Sequence, residues 1–109
     1  MKEKELEFRS AGYYAYAAAR DARMRAAAMW SHYTNAERTR AERMKLALEL
    51  CYSANGFYIN PREKFITIKI DRPRVVDRAS LELLEADYEA QGVVKIATAQ
   101  GISYRIPKK

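Results

Sequence analysis

The hydrophobic period of this chain changes at Gly56. Before that residue, apolar side chains recur at helical spacing; after it they alternate, as in a half-buried strand. A chain that carries both periods in this order must set a helical stripe against a pleated face, which makes the expected fold class α+β. The expected order is α-α-β-β-α-β-β, an N-terminal helical hairpin packed on a small antiparallel sheet. With 109 residues the chain suffices for one core, so residues 1–109 are read as a single domain, 1–56 forming the helical hairpin and 57–109 the β-β-α-β-β part. Large multi-substrate enzymes are excluded by size.

From Glu5 to Tyr33 the sequence is rich in alanine and methionine, lacks proline, and has its only glycine at Gly12, so one long helix is expected. At about 100° per residue, Ala11, Ala15, Ala18, Ala22, Ala26, Met29 and Tyr33 fall within an arc of about 80°. Roughly 120 to 150° away runs a second stripe, Arg9, Tyr13, Tyr16, Arg20, Arg23, Ala27 and Trp30, in which aromatic and guanidinium groups alternate. The plainer reading has the alanine seam admitting a neighbouring helix while the aromatics edge the core. The sharper one makes the second stripe a binding surface, because Tyr, Trp and Arg dominate interface hot spots and suit stacking on bases.

Thr34 and Glu37 have the spacing of a capping box, so a middle helix is expected from Asn35 to about Ser53, ending at Asn55-Gly56. Its apolar face is Ala41, Met44, Leu48 and Cys51, flanked by Ala47, Leu50 and Tyr52. The short turn predicts an antiparallel hairpin with the alanine seam on Met44 and Leu48. Phe57–Ile59 and Phe65–Ile70 read as a β-hairpin turning at Asn60-Pro61, with Ile66, Ile68 and Ile70 on one face. Arg72-Pro73-Arg74 breaks the strand. Asp77 or Ser80 caps a C-terminal helix that buries Leu81, Leu84 and Tyr88 and ends at Gly92. Val93–Thr98 and Ile102–Ile106 form a second hairpin around Ala99-Gln100-Gly101.

The formal charge is +6, and it is unevenly placed. Phe8–Lys45 holds eight basic residues against three acidic ones, whereas Ala79–Gly92 holds Glu82, Glu85, Asp87 and Glu89 with no basic residue. An acidic partner is therefore expected on a basic side that includes Arg38, Arg40 and Arg43. Material for catalysis is scarce. His32 reads as a helix-end residue, Cys51 as a small hydrophobe in a core, and the Glu82, Glu85, Glu89 run as a solvated face. One cysteine and one histidine make neither a disulfide nor a zinc site, and no glycine-rich phosphate loop is present. No enzyme activity, metal or cofactor is expected. With no apolar run near the roughly 20 residues that span a bilayer and an alternating-charge start, the expectation is a cytosolic protein with no membrane contact.

Two resemblances follow. The order strand, helix, hairpin from Phe65 to Ile106, after two helices, resembles a winged helix in outline, which implies a recognition helix at Ala79–Gly92. That helix is acidic, which departs from the pattern where function resides. The stretch Ile66-Thr67-Ile68-Lys69-Ile70-Asp71-Arg72-Pro73, with the following helix and glycine-turn hairpin, resembles the small accessory proteins of phages and prophages. That resemblance implies a protein in the host-cell cytoplasm that inhibits or redirects a host complex acting on nucleic acid, CRISPR defence complexes included. On it rests the leading expectation, a non-enzymatic interaction protein gripping such a complex through Arg9, Tyr13, Tyr16, Arg20, Arg23 and Trp30 or through Arg38, Arg40 and Arg43. The alternative is a basic regulator in direct nucleic-acid contact; a homodimer through the alanine seam is a third reading.

Overall fold

The computed structural model describes residues 16–21, 23–25 and 27–108. Residues 16–21, 23–25 and 27–29 are helical and lead into a 3-10 turn, Trp30–His32, after which Tyr33 is extended. Helix α1, Asn35–Cys51, starts at the expected capping box: Glu37 N–H donates to Thr34 Oγ1 at 3.1 Å and Thr34 N–H donates to Glu37 Oε1 at 3.0 Å. The helix satisfies two of its free donors this way.

Its buried face is the expected one, Ala41, Met44, Leu48 and Cys51. What covers that face differs from expectation. It lies against the sheet and against the C-terminal helix rather than against the alanine seam. Every described residue from Tyr16 to Ala28 is exposed except Ala17, which is half-buried, and Ala18 of the seam is among the exposed ones. The expected helical hairpin is thus not formed by the described residues. Competition for the apolar face of α1 explains this, since burying an isoleucine contributes about 1.5–3 kcal/mol and an alanine methyl far less. Of the rest of the seam, Met29 and Tyr33 are half-buried, Tyr33 against the core, and Ala11, Ala15, Ala22 and Ala26 lie outside the described residues.

Helix α1 stops at Cys51, short of the expected Ser53. The next two residues form a short strand β1, Tyr52–Ser53, paired antiparallel with β4, Arg74–Val75; neither strand was expected. The main sheet contains β2 (Gly56–Pro61), β3 (Phe65–Asp71), β5 (Val94–Thr98) and β6 (Gly101–Pro107) in the order β2-β3-β6-β5, antiparallel throughout. Asn55-Gly56 opens β2 instead of capping a helix. Pro61 still sits in the ladder opposite Ile66, on an edge strand where its missing N–H costs nothing, so the turn falls on Arg62-Glu63-Lys64 rather than on Asn60-Pro61.

The alternation of β3 sets the two faces of the sheet. Ile66, Ile68 and Ile70 point to the core and register with Ile106, Tyr104 and Ile102 of β6. Seven consecutive pairs join β3 to β6, so the second hairpin belongs to the sheet and is not a separate wing. A Cβ on Gly101 would run into the Ile70 carbonyl, which is why this strand end needs glycine. Arg72 takes a left-handed backbone, φ 48°, at the break that Pro73 enforces. Helix α2, Arg78–Ala90, is capped by the Asp77 carboxylate, which accepts from Ser80 N–H at 3.1 Å, and the chain leaves it through Gly92 at φ 85°. Leu81 and Tyr88 of α2 join the core on the same face of the sheet as α1.

Candidate nucleic-acid interface

The arginines singled out from the sequence do not converge. Arg9 and Tyr13 lie outside the described residues. Tyr16, Arg20 and Arg23 are exposed on the N-terminal helical segment, with Arg20 within 3.6 Å of Asp21. Trp30 is half-buried on the edge of the core, 5.9 Å from Tyr33 in an edge-to-face pair and covered by the Arg38 guanidinium at 5.1 Å. Arg38 is also paired with Glu42 at 3.1 Å. Arg40 turns the other way and donates to Gln91 Oε1 at 2.5 Å, tying α1 to the end of α2. Arg43 lines a cleft of about 500 Å³ between the same helices, beside Asp87. The basic start of α1 is therefore divided between an aromatic edge and an acidic helix.

A second cluster departs from the sequence expectation. Glu85 is no part of a solvated acidic face: Tyr104 Oη donates to its Oε2 at 2.9 Å, and Lys95 Nζ lies 2.6 Å from the same oxygen. Tyr104 Oη is also 2.9 Å from Tyr52 Oη, and the Lys95 ammonium lies beside that hydroxyl. Burial, followed by these two hydrogen bonds, raises the Tyr104 phenol far above its ordinary range. Burial opposes the charge on Lys95, but Glu85 and Tyr52 outweigh it and its pKa rises. Each member has a partner, so the cluster reads as a polar strut between β1, α2, β5 and β6. Cys51 is buried nearby, and burial, then Asp77 and Glu85, push its thiol up, away from the thiolate form that reactive cysteines need.

The face of the sheet opposite α1 and α2 carries residues that no sequence motif marks. Because β3 turns its isoleucines inward, Phe65, Thr67 and Lys69 point outward. The register sets Tyr58 opposite Lys69 and Asn60 opposite Thr67, then Thr67 opposite Arg105 and Lys69 opposite Ser103 across β6. Together with the Arg62-Glu63-Lys64 turn, this face forms an open cleft of about 630 Å³. Four cations and one carboxylate line it. Among the described residues, no carboxylate pairs with Arg62, Lys64, Lys69 or Arg105. The Arg105 guanidinium stacks over the Phe65 ring at 4.7 Å. Tyr58 is 54% exposed and its ring lies in the notch left by Gly56, where a Cβ would strike the phenol.

These residues come from three strands and meet only through the β2-β3 and β3-β6 registers. The signal available in the sequence was the polar half of the alternation, Thr67 and Lys69 between isoleucines, together with Arg105 between Tyr104 and Ile106. No helix among the described residues is long and apolar enough to cross a membrane. Comparison of the chain with family models, curated proteins and solved structures returns no match.

Proposed function

We propose that this protein is a non-enzymatic, cytoplasmic binding module that holds nucleic acid on the helix-free face of its sheet. The observation that carries this reading is the set of four cations, Arg62, Lys64, Lys69 and Arg105, on one face, to which no carboxylate among the described residues is paired. Unpaired cations on one open surface attract a polyanion, and phosphate contacts supply most of non-specific nucleic-acid affinity through counterion release. The test is a salt titration of binding to labelled single-stranded and duplex oligonucleotides. Four phosphate contacts predict log-log slopes of about −3 on single strands and somewhat steeper on duplex. Salt-independent binding, or none at low salt, refutes the reading.

A second reading keeps a protein partner. Tyr16 and Met24 are 58% and 63% exposed on the N-terminal helical segment, and such side chains serve as anchors for a partner groove. Under this reading the protein inhibits or redirects a host complex acting on nucleic acid, in the manner of phage accessory proteins. It ranks second because Trp30, the strongest anchor of the stripe, is already packed against Tyr33, Arg38 and the core edge. A complex that survives nuclease treatment and is lost in Tyr16→Ala would favour it.

A further inference from the structure

We propose that the helix-free sheet face is a stacking platform for single-stranded RNA, with Tyr58 and the Arg105-Phe65 pair as its two seats for bases. The inference rests on the nucleic-acid reading above and specifies its ligand. Three features of the face argue for an unpaired strand. Phosphate attraction alone would need only the cations, yet the same surface carries aromatic rings lying among them. Tyr58 has its ring in the notch over Gly56, so the sheet supports it from beneath and more than half of the residue remains open to solvent. The Phe65 ring is capped by a guanidinium whose plane is itself a surface on which bases stack.

The register fixes the spacing. Tyr58 lies opposite Lys69, and Lys69 is four residues along β3 from Phe65, which at the rise of a β-strand places the two residues' backbone positions about 13 Å apart along the sheet. Lys69 and Arg105 lie on adjacent strands between and beside the seats, placed for the phosphates of a strand running along the sheet. A duplex keeps its bases paired and stacked inside, where neither seat can reach them, whereas a single strand splays them onto such rings.

The polar side chains select RNA. Asn60 and Thr67 face each other across β2 and β3, and Ser103 faces Lys69 across β3 and β6. Among the described residues, none of these three side chains hydrogen-bonds within the protein, although other side chains of their kind are used in caps and turns elsewhere in the chain. They offer donors and acceptors to the ribose 2′-hydroxyl, the group that distinguishes RNA from DNA.

The experiment is fluorescence anisotropy of the full chain with labelled oligouridine, oligodeoxyuridine of the same length, and duplex RNA. Oligouridine is expected to bind most tightly, with duplex RNA weaker at equal phosphate number. Tyr58→Ala is expected to lower oligouridine affinity about tenfold with the salt slope unchanged, and Tyr58→Phe to retain most of it, because stacking needs the ring and not the hydroxyl. Circular dichroism of both variants confirms that the fold is intact. Equal binding of oligouridine and oligodeoxyuridine overturns the RNA assignment. A silent Tyr58→Ala with duplex bound as well as single strand overturns the platform while leaving the phosphate reading standing; no binding to any of the three polymers overturns the nucleic-acid reading itself. Self-association that Tyr58→Ala abolishes would assign the face to a second copy instead.

Discussion

Tyr104→Phe removes one oxygen from the middle of the polar strut, and the structure allows its cost to be worked out. The hydroxyl makes two contacts of 2.9 Å, one as donor to the Glu85 carboxylate and one with Tyr52 Oη. A hydrogen bond to a charged group contributes about 1.5–3 kcal/mol and a neutral one about 1 kcal/mol. Glu85 keeps the Lys95 ammonium as a partner, whereas the Tyr52 O–H loses its acceptor because an ammonium only donates, and the total comes to about 3 kcal/mol. The ring stays and leaves no cavity, and its edge-to-face packing on Tyr88 at 6.5 Å is kept. For a domain of this size the midpoint of thermal unfolding should fall by roughly 10–15 °C. A urea titration gives the free energy, and a double-mutant cycle with Tyr52→Phe isolates the shared bond: the double variant should lose about 1 kcal/mol less than the sum of the single ones. A loss below about 0.5 kcal/mol for Tyr104→Phe, with additive single variants, would refute the strut.

Alkaline pH should weaken the fold. Burial, then Asp87 and Cys51, push Tyr88 up to about 12, so between its ordinary value near 10 and about 12 the folded chain keeps a proton that the unfolded chain has released. The Tyr88 contribution is full below about pH 10 and is lost as pH rises through that window, with Tyr104 and Lys95 acting in the same direction and the raised Cys51 thiol adding to the loss from its lower ordinary value. Thermal midpoints across the alkaline range should drop, and Tyr88→Phe should make the drop shallower; a flat or rising profile would contradict the assignment. Thr34→Ala removes the capping box of α1 and should cost about 1 kcal/mol in chemical denaturation, with Thr34→Ser near neutral. Equal stability of Thr34→Ala and the parent would show that the cap at this exposed helix start carries little.

Features decided by a few neighbouring residues were legible in the sequence. The Thr34-Glu37 box, the Asp77 cap, the Gly92 exit and the inward isoleucines of β3 each follow from local chemistry, and each stands where it was expected. Features decided by competition between distant segments were not. The alanine seam and the sheet both offered a surface to Met44 and Leu48, and helical periodicity states which face of α1 is buried without stating which partner covers it. The strut joins Tyr52 to Tyr104 across 52 positions of sequence, so Glu85 looked like one more carboxylate on a solvated helix. The candidate interface was hidden for the same reason. Tyr58, Lys69 and Arg105 belong to three strands and become neighbours only when the two hairpins dock through the β3-β6 ladder.

The anion-binding surface proposed for this protein lies on the sheet rather than on the helical stripe. It is tested most directly by comparing oligonucleotide binding, as a function of salt, for two neutralised variants: Arg62→Gln/Lys64→Gln/Lys69→Gln/Arg105→Gln on the sheet face, and Arg20→Gln/Arg23→Gln/Arg25→Gln on the N-terminal helical segment. The sheet variant should lose most of the salt dependence, about 0.7 in slope for each lost single-strand contact, while the helical variant should keep it. Retained slope and affinity in the sheet variant, with binding lost in the helical one, would contradict that placement.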